Sequence, residues 1–166
     1  MRVLALSVLA AAAFAADPAL RLDGVAGRDG VALPPVLLSL AELQALPRTA
    51  LQARTHDGTE HKFEGVAVAE LLRRAGLAQG DSLRGPLLSR YVLVSAHDGY
   101  RAVFSLAEFD PAFMDTRALI ADRMDGQPLS ARDGPLRLVL PAEKLETRWI
   151  RMVERIAILS APDAPR

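Results

Sequence analysis

Apolar and polar residues alternate along Leu20-Arg21-Leu22-Asp23-Gly24-Val25, the two-residue period of a half-buried strand. Thr49 to Thr55 and Thr59 to Phe63, joined at Asp57-Gly58, and Tyr91 to Ala96 and Tyr100 to Phe104, joined at Asp98-Gly99, are further strand candidates. Asp-Gly between two such runs is a strong hairpin signal, because both residues tolerate the left-handed backbone that tight turns require. Ala118 to Ala121 and Leu136 to Leu140 read as buried strands, and the run Ile156 to Leu159, closing the stretch from Trp149, pairs into a sheet.

Helical spacing is confined to short segments. Val68, Leu71, Leu72 and Ala75 fall on one face of a helix predicted from Val66 to Ala75, with Gly76 as its C-terminal cap. Ser39 with Glu42, and Ser105 with Glu108, have the spacing of capping boxes. They open one short helix running through Leu46 and stopped by Pro47, and another beginning at Leu106 to Phe109. Arg28-Asp29-Gly30, Asp125-Gly126 and Asp133-Gly134-Pro135 are turns, and the polar stretch Gly80 to Ser89 is a loop. Several strands joined by Asp-Gly turns, with short helices between, predict one α+β domain with mixed sheets over residues 19–159, followed by a loose tail from 160 to 166.

The first residues follow another pattern. Arg2, the apolar run Val3 to Ala13 and the small-x-small triplet Ala13-Phe14-Ala15 have the layout of a secretory signal peptide. The run is shorter than the roughly 20 apolar residues of a membrane span, and no later stretch reaches that length. The expectation is cleavage after Ala15 and a periplasmic or secreted domain without a stable membrane span.

Twenty basic residues balance twenty acidic ones, without a basic stripe, so nucleic acid is not an expected partner. The chain contains no cysteine, which excludes thiol catalysis, iron–sulfur clusters and thiolate metal sites. A domain of this size buries enough apolar surface to fold without disulfides.

Five segments, in order, resemble the molybdopterin-binding domain of the sulfite oxidase family. They are Phe63-Glu64-Gly65-Val66-Ala67-Val68-Ala69-Glu70-Leu71-Leu72 with Ala75-Gly76, Ser95-Ala96-His97-Asp98-Gly99-Tyr100, and Phe104-Ser105-Leu106-Ala107-Glu108. Gly134-Pro135-Leu136-Arg137-Leu138-Val139-Leu140-Pro141 and Arg148-Trp149-Ile150-Arg151 complete the series. The resemblance implies a sulfite oxidase-type fold, with molybdopterin as the candidate cofactor. It also implies that a basic residue beside the tryptophan contacts the pterin phosphate, a role that falls on Arg148, whose planar guanidinium suits phosphate. Family members that carry out redox chemistry hold molybdenum through a cysteine sulfur near the strand before the Gly-Val segment. Ala53 stands near that position, and a methyl group has no lone pair to offer the metal. Folded, cofactor-loaded family members are normally exported by a twin-arginine signal, whereas Met1-Arg2-Val3-Leu4 has no arginine pair.

The candidate ligand-binding residues are Arg148, Arg151, His97 and Arg101, and no metal ligand is assigned. His97, Asp98 and Arg101 meet at a strand-to-strand turn where imidazole, carboxylate and guanidinium can face an anion; the plain alternative is a solvated hairpin. Trp149 with its flanking arginines reads either as a phosphate site or as a core tryptophan beside solvated cations. On a two-residue turn at Asp57-Gly58, Arg54 faces His61, and the diagonal pair His56 and His61 lies about 7–8 Å apart. Two imidazoles on a hairpin do not close a metal site, and exposed polar positions are the simpler reading. Asp122, Arg123 and Asp125 are explained as turn residues, and Ser95 near His97 lacks a nucleophile elbow.

The leading expectation is a non-catalytic periplasmic module without cofactor, binding a small anionic ligand or a protein partner. The rival is a molybdopterin-dependent oxidoreductase with a metal site built without cysteine. A structural or assembly protein, needing no pocket, is the third.

Overall fold

The computed structural model describes residues 17–25, 32–115 and 117–162. The expected signal segment, the turn at Arg28-Asp29-Gly30 and residues 163–166 of the tail lie outside them. Strands β1 (Leu20–Val25) and β2 (Ala32–Leu38) are followed by helix α1 (Leu40–Gln44) and by β3 (Thr49–Arg54) and β4 (Glu60–Ala67). Helix α2 (Val68–Arg74) leads through two 3-10 turns, Gly80–Ser82 and Gly85–Ser89, to β5 (Arg90–Ala96) and β6 (Arg101–Ser105). The remaining strands are β7 (Leu119–Met124), β8 (Gln127–Pro128), β9 (Arg137–Val139) and β10 (Val153–Ser160).

Among the described residues these strands form two sheets. One runs β2-β1-β10-β5-β6, with β1 parallel to β10 and its other pairings antiparallel. The other runs β3-β4-β7-β8, with β9 also paired to β7. Their inward residues share one core: Leu22, Val92, Val94 and Ile156 from the first sheet, and Phe63, Val66, Ile120 and Leu138 from the second. Burying each such side chain contributes roughly 1.5–3 kcal/mol. No helix among the described residues is long and apolar enough to cross a membrane.

Both capping boxes form as the Ser-Glu spacing predicts, on α1 and on the 3-10 turn Leu106–Phe109. The helix expected from Val66 begins later, at Val68, because Gly65, Val66 and Ala67 pair as a strand with Ala121, Ile120 and Leu119. Gly65 permits this pairing: a Cβ there would lie 2.0 Å from the Ile120 carbonyl oxygen. Strand β2 went unpredicted because Pro34-Pro35 breaks the strand pattern; at a sheet edge proline removes no needed ladder bond.

The β3–β4 hairpin is one residue longer than expected. Arg54 faces Glu60 and Ala53 faces His61, leaving Thr55 and Thr59 to close a turn of His56, Asp57 and Gly58. The Thr55 N–H donates to the Thr59 carbonyl (2.8 Å), and Asp57 Oδ1 accepts from the Thr59 N–H (3.0 Å) and the Thr55 hydroxyl (2.7 Å). Gly58 takes the left-handed conformation that such a three-residue turn needs (φ 85°). The β5–β6 turn repeats the design with His97, Asp98 and Gly99: Ala96 N–H donates to Tyr100 C=O, and Asp98 Oδ1 accepts from Tyr100 N–H.

Candidate functional site

The two His-Asp-Gly turns reach one cavity of about 510 Å³ from different sheets, one presenting His56 and the other Asp98 and Tyr100. The opposite wall comes from β9 and from the segment between β9 and β10. That wall holds Arg137, Glu146, Trp149 and Arg151. The segment is tied down at Tyr100, whose hydroxyl donates to the Thr147 carbonyl at 2.6 Å, and at Trp149, whose Nε1 donates to the Leu140 carbonyl at 3.0 Å.

Arg137 dominates the electrostatics. It stands in a strand of otherwise apolar residues and is about 4% exposed. Its guanidinium carbon lies 5.7 Å from the Phe63 ring centre and 5.5 Å from that of Trp149, within cation–π range, and the two rings meet edge-on at 5.9 Å. Nη2 donates to Glu146 Oε2 at 3.0 Å, and Nη1 lies 3.7 Å from Asp133 Oδ1. Burial pulls the Arg137 pKa down, while Asp133 and Glu146 oppose the shift. Arginine still keeps its charge, because it starts so far above neutrality. Arg137 Nε and Glu146 Oε1 are both buried and have no hydrogen-bond partner. Asp133 also receives Arg151, at 2.9 Å from Nε, so it bridges the two cations of the wall.

Arg151 is thus the one of the four sequence-named residues that lines this cavity. Arg148, two residues past Glu146, is directed elsewhere. Its guanidinium sits 4.6 Å from the Phe104 ring centre, pairs with Glu143 and with Glu108 (3.3 Å), and borders a separate cavity of about 200 Å³. Burial lowers its pKa, but the two carboxylates outweigh that and raise it. His97 is exposed, with Nδ1 3.4 Å from Glu154 Oε2, and Arg101 is exposed on β6 opposite Ser95. The imidazoles of the first hairpin also part company: His56 lies 3.8 Å from Glu146 at the cavity, while His61 binds Asp125 at 2.6 Å. Asp122 is buried in a forked pair with Arg48 and does not line the cavity.

Arg137 and Glu146 were absent from the sequence-derived site. The available signal was a lone cation inside the run Leu136 to Leu140, a position that burial makes costly unless a carboxylate accompanies it.

The family model of the oxidoreductase molybdopterin-binding domain matches residues 40–165. The chain belongs to this family. The sulfane dehydrogenase SoxCD from Paracoccus pantotrophus offers a solved structure of similar fold. The two superpose with a TM-score of 0.63 at 19% identity, over 84% of this chain and 37% of that one. The chain therefore spans little more than a third of that relative. No curated protein matches the sequence.

The family's metal does not fit the donors present. Ala53, near the position where the resemblance implies a cysteine, is a buried methyl on β3 opposite His61. Among the described residues no group of three or more histidine or acidic side chains could hold an ion instead. The charges are also balanced: Arg137 and Arg151 are matched by Asp133 and Glu146, with Asp98 opposite. A phosphate dianion entering there would meet carboxylates already paired with the cations.

Proposed function

We propose that this chain is a non-catalytic member of the molybdopterin-binding domain family, which uses the inherited cavity to bind a small anionic ligand. The observation that carries the reading is the buried Ala53 methyl, near where the resemblance implies a metal-holding thiolate, in a chain without cysteine. Without a soft donor at that point, the redox chemistry of the family has no anchor. The cavity itself is a binding site: concave, lined partly by Trp149 and Ile150, and furnished with the cations Arg137 and Arg151. The leader-like pattern of residues 1–15 supports a periplasmic or secreted setting, where the ligand is a solute or an exported partner's acidic group.

Thermal unfolding in a panel of small anions and size-matched cations tests this reading. Anions that bind the native state raise the unfolding midpoint, by an amount that grows with the logarithm of concentration once it exceeds Kd. The expected result is a rise with anions alone, lost in Arg151→Ala. A panel in which no anion raises the midpoint contradicts the reading.

A further inference from the structure

In the anionic ligand site just proposed, Arg137 is already paired with Glu146. The Glu146 side chain belongs to the single 3-10 turn Glu146–Arg148, in a segment held outside both sheets and preceded by the exposed Leu145. Arg137, by contrast, is fixed on β9, which pairs with β7 and receives a further bond through Leu138 N–H to the Ile150 carbonyl at 2.8 Å. The pair therefore joins a cation on a sheet strand to a carboxylate that belongs to neither sheet.

Their contact is incomplete. A carboxylate placed side-on to a guanidinium makes two parallel bonds, through Nε and one Nη. Here the Nη2–Oε2 bond is made, and Nε and Oε1 remain without partners in the interior. Leaving such groups unsatisfied costs free energy, which an untethered carboxylate, free to align both oxygens, would recover. Glu146 also borders a second cavity of about 400 Å³, which shares His56 and Leu145 with the first.

We propose that Glu146 is an internal substitute for the ligand's carboxylate, holding Arg137 until a planar monocarboxylate with a flat apolar body displaces it. The charge count favours one negative charge over two. With Glu146 withdrawn, Arg137 and Arg151 still face Asp133 and Asp98, so a monoanion restores the existing balance and a dianion exceeds it. The apolar body is accommodated by Leu145, Trp149 and Ile150 in the same wall. Because the ligand competes with a tethered carboxylate, affinity for the wild-type chain is reduced by the fraction of molecules in which Glu146 has already let go.

Trp149 is the single tryptophan of the chain and reports on its own cavity. Benzoate is titrated into the wild-type chain and into Glu146→Ala, following tryptophan fluorescence, with Glu146→Gln as a second variant that keeps the shape and loses the charge. Both variants are expected to bind benzoate at least tenfold more tightly than wild type. Benzamidine, the same ring with a cationic head, is expected to gain nothing. Equal benzoate affinity in wild type and both variants overturns the displacement and leaves the anion site standing. An equal gain for benzamidine also overturns it, since the gain then comes from space and not from the freed cation. Absence of benzoate binding in all three proteins overturns both the displacement and the anion reading.

Discussion

Arg137 and Glu146 meet inside the protein through one hydrogen bond, Nη2 to Oε2 at 3.0 Å, while Nε and Oε1 go unpaired. A buried pair of this kind stabilises little in itself, yet breaking it from one side strands the other charge. Arg137→Met leaves Glu146 and Asp133 without their shared cation and is expected to cost about 3 kcal/mol. Glu146→Gln keeps an acceptor for Nη2 and is expected to cost about 1 kcal/mol. Urea unfolding of the two variants and of the double variant checks this, the double being less destabilised than the sum of the singles.

Phe63 underlies the same cation. It is fully buried, edge-on to Trp149 and within reach of the Arg137 guanidinium. Phe63→Ala removes the ring against which both pack, and the expected loss is about 3–5 kcal/mol. Chemical denaturation gives the number, and a loss below about 1 kcal/mol contradicts the packing described.

Arg148 is expected to behave as a structural residue. Its guanidinium covers the Phe104 ring, binds Glu108 and Glu143, and donates from Nη1 to the Val103 carbonyl on β6 at 3.4 Å. Arg148→Ala should lower stability by roughly 1 kcal/mol while leaving anion binding at the Arg151 cavity unchanged. Isothermal titration of both arginine variants separates the roles. A loss of anion binding on changing Arg148 would return the site to the position the family motif assigns.

Asp57 makes the first hairpin pH-dependent. The Thr55 hydroxyl and the Thr59 N–H bind its carboxylate and bring its pKa from 3.8 down to about 2. A depressed carboxyl pKa adds stability that is fully present above the unfolded value and is lost as pH falls toward the folded one. The difference in unfolding midpoint between wild type and Asp57→Asn should therefore be constant above pH 4 and shrink between about 4 and 2. A difference that grows on acidification contradicts the assignment.

The sequence was most legible where one local rule acts alone. Ser39 and Ser105 with their glutamates fixed two helix starts, and the strand expected from Tyr91 to Ala96 forms as β5. It was misleading where a distant partner decides. Val68, Leu71 and Leu72 share the expected helical face, but pairing with Ile120 and Leu119 holds residues 65–67 extended ahead of it. The hairpin lengths turned on Asp57 and Asp98 bonding back to the chain two residues on, which the Asp-Gly dipeptide does not distinguish from a shorter turn. The site suffered most. The motif singles out Arg148, whereas Glu108 and Glu143 hold Arg148 at one cavity and Asp133 draws Arg151 to the other, pairings the motif does not contain.

The central claim is that this fold is used without the family's cofactor. Its most direct test is to express the full-length chain in a bacterium that makes the molybdenum cofactor, and to assay the folded, purified protein for molybdenum by mass spectrometry and for pterin by fluorescence. The account predicts both at background. A one-to-one load of metal and pterin would contradict it, and would show that a site centred on Ala53 holds molybdenum without a thiolate.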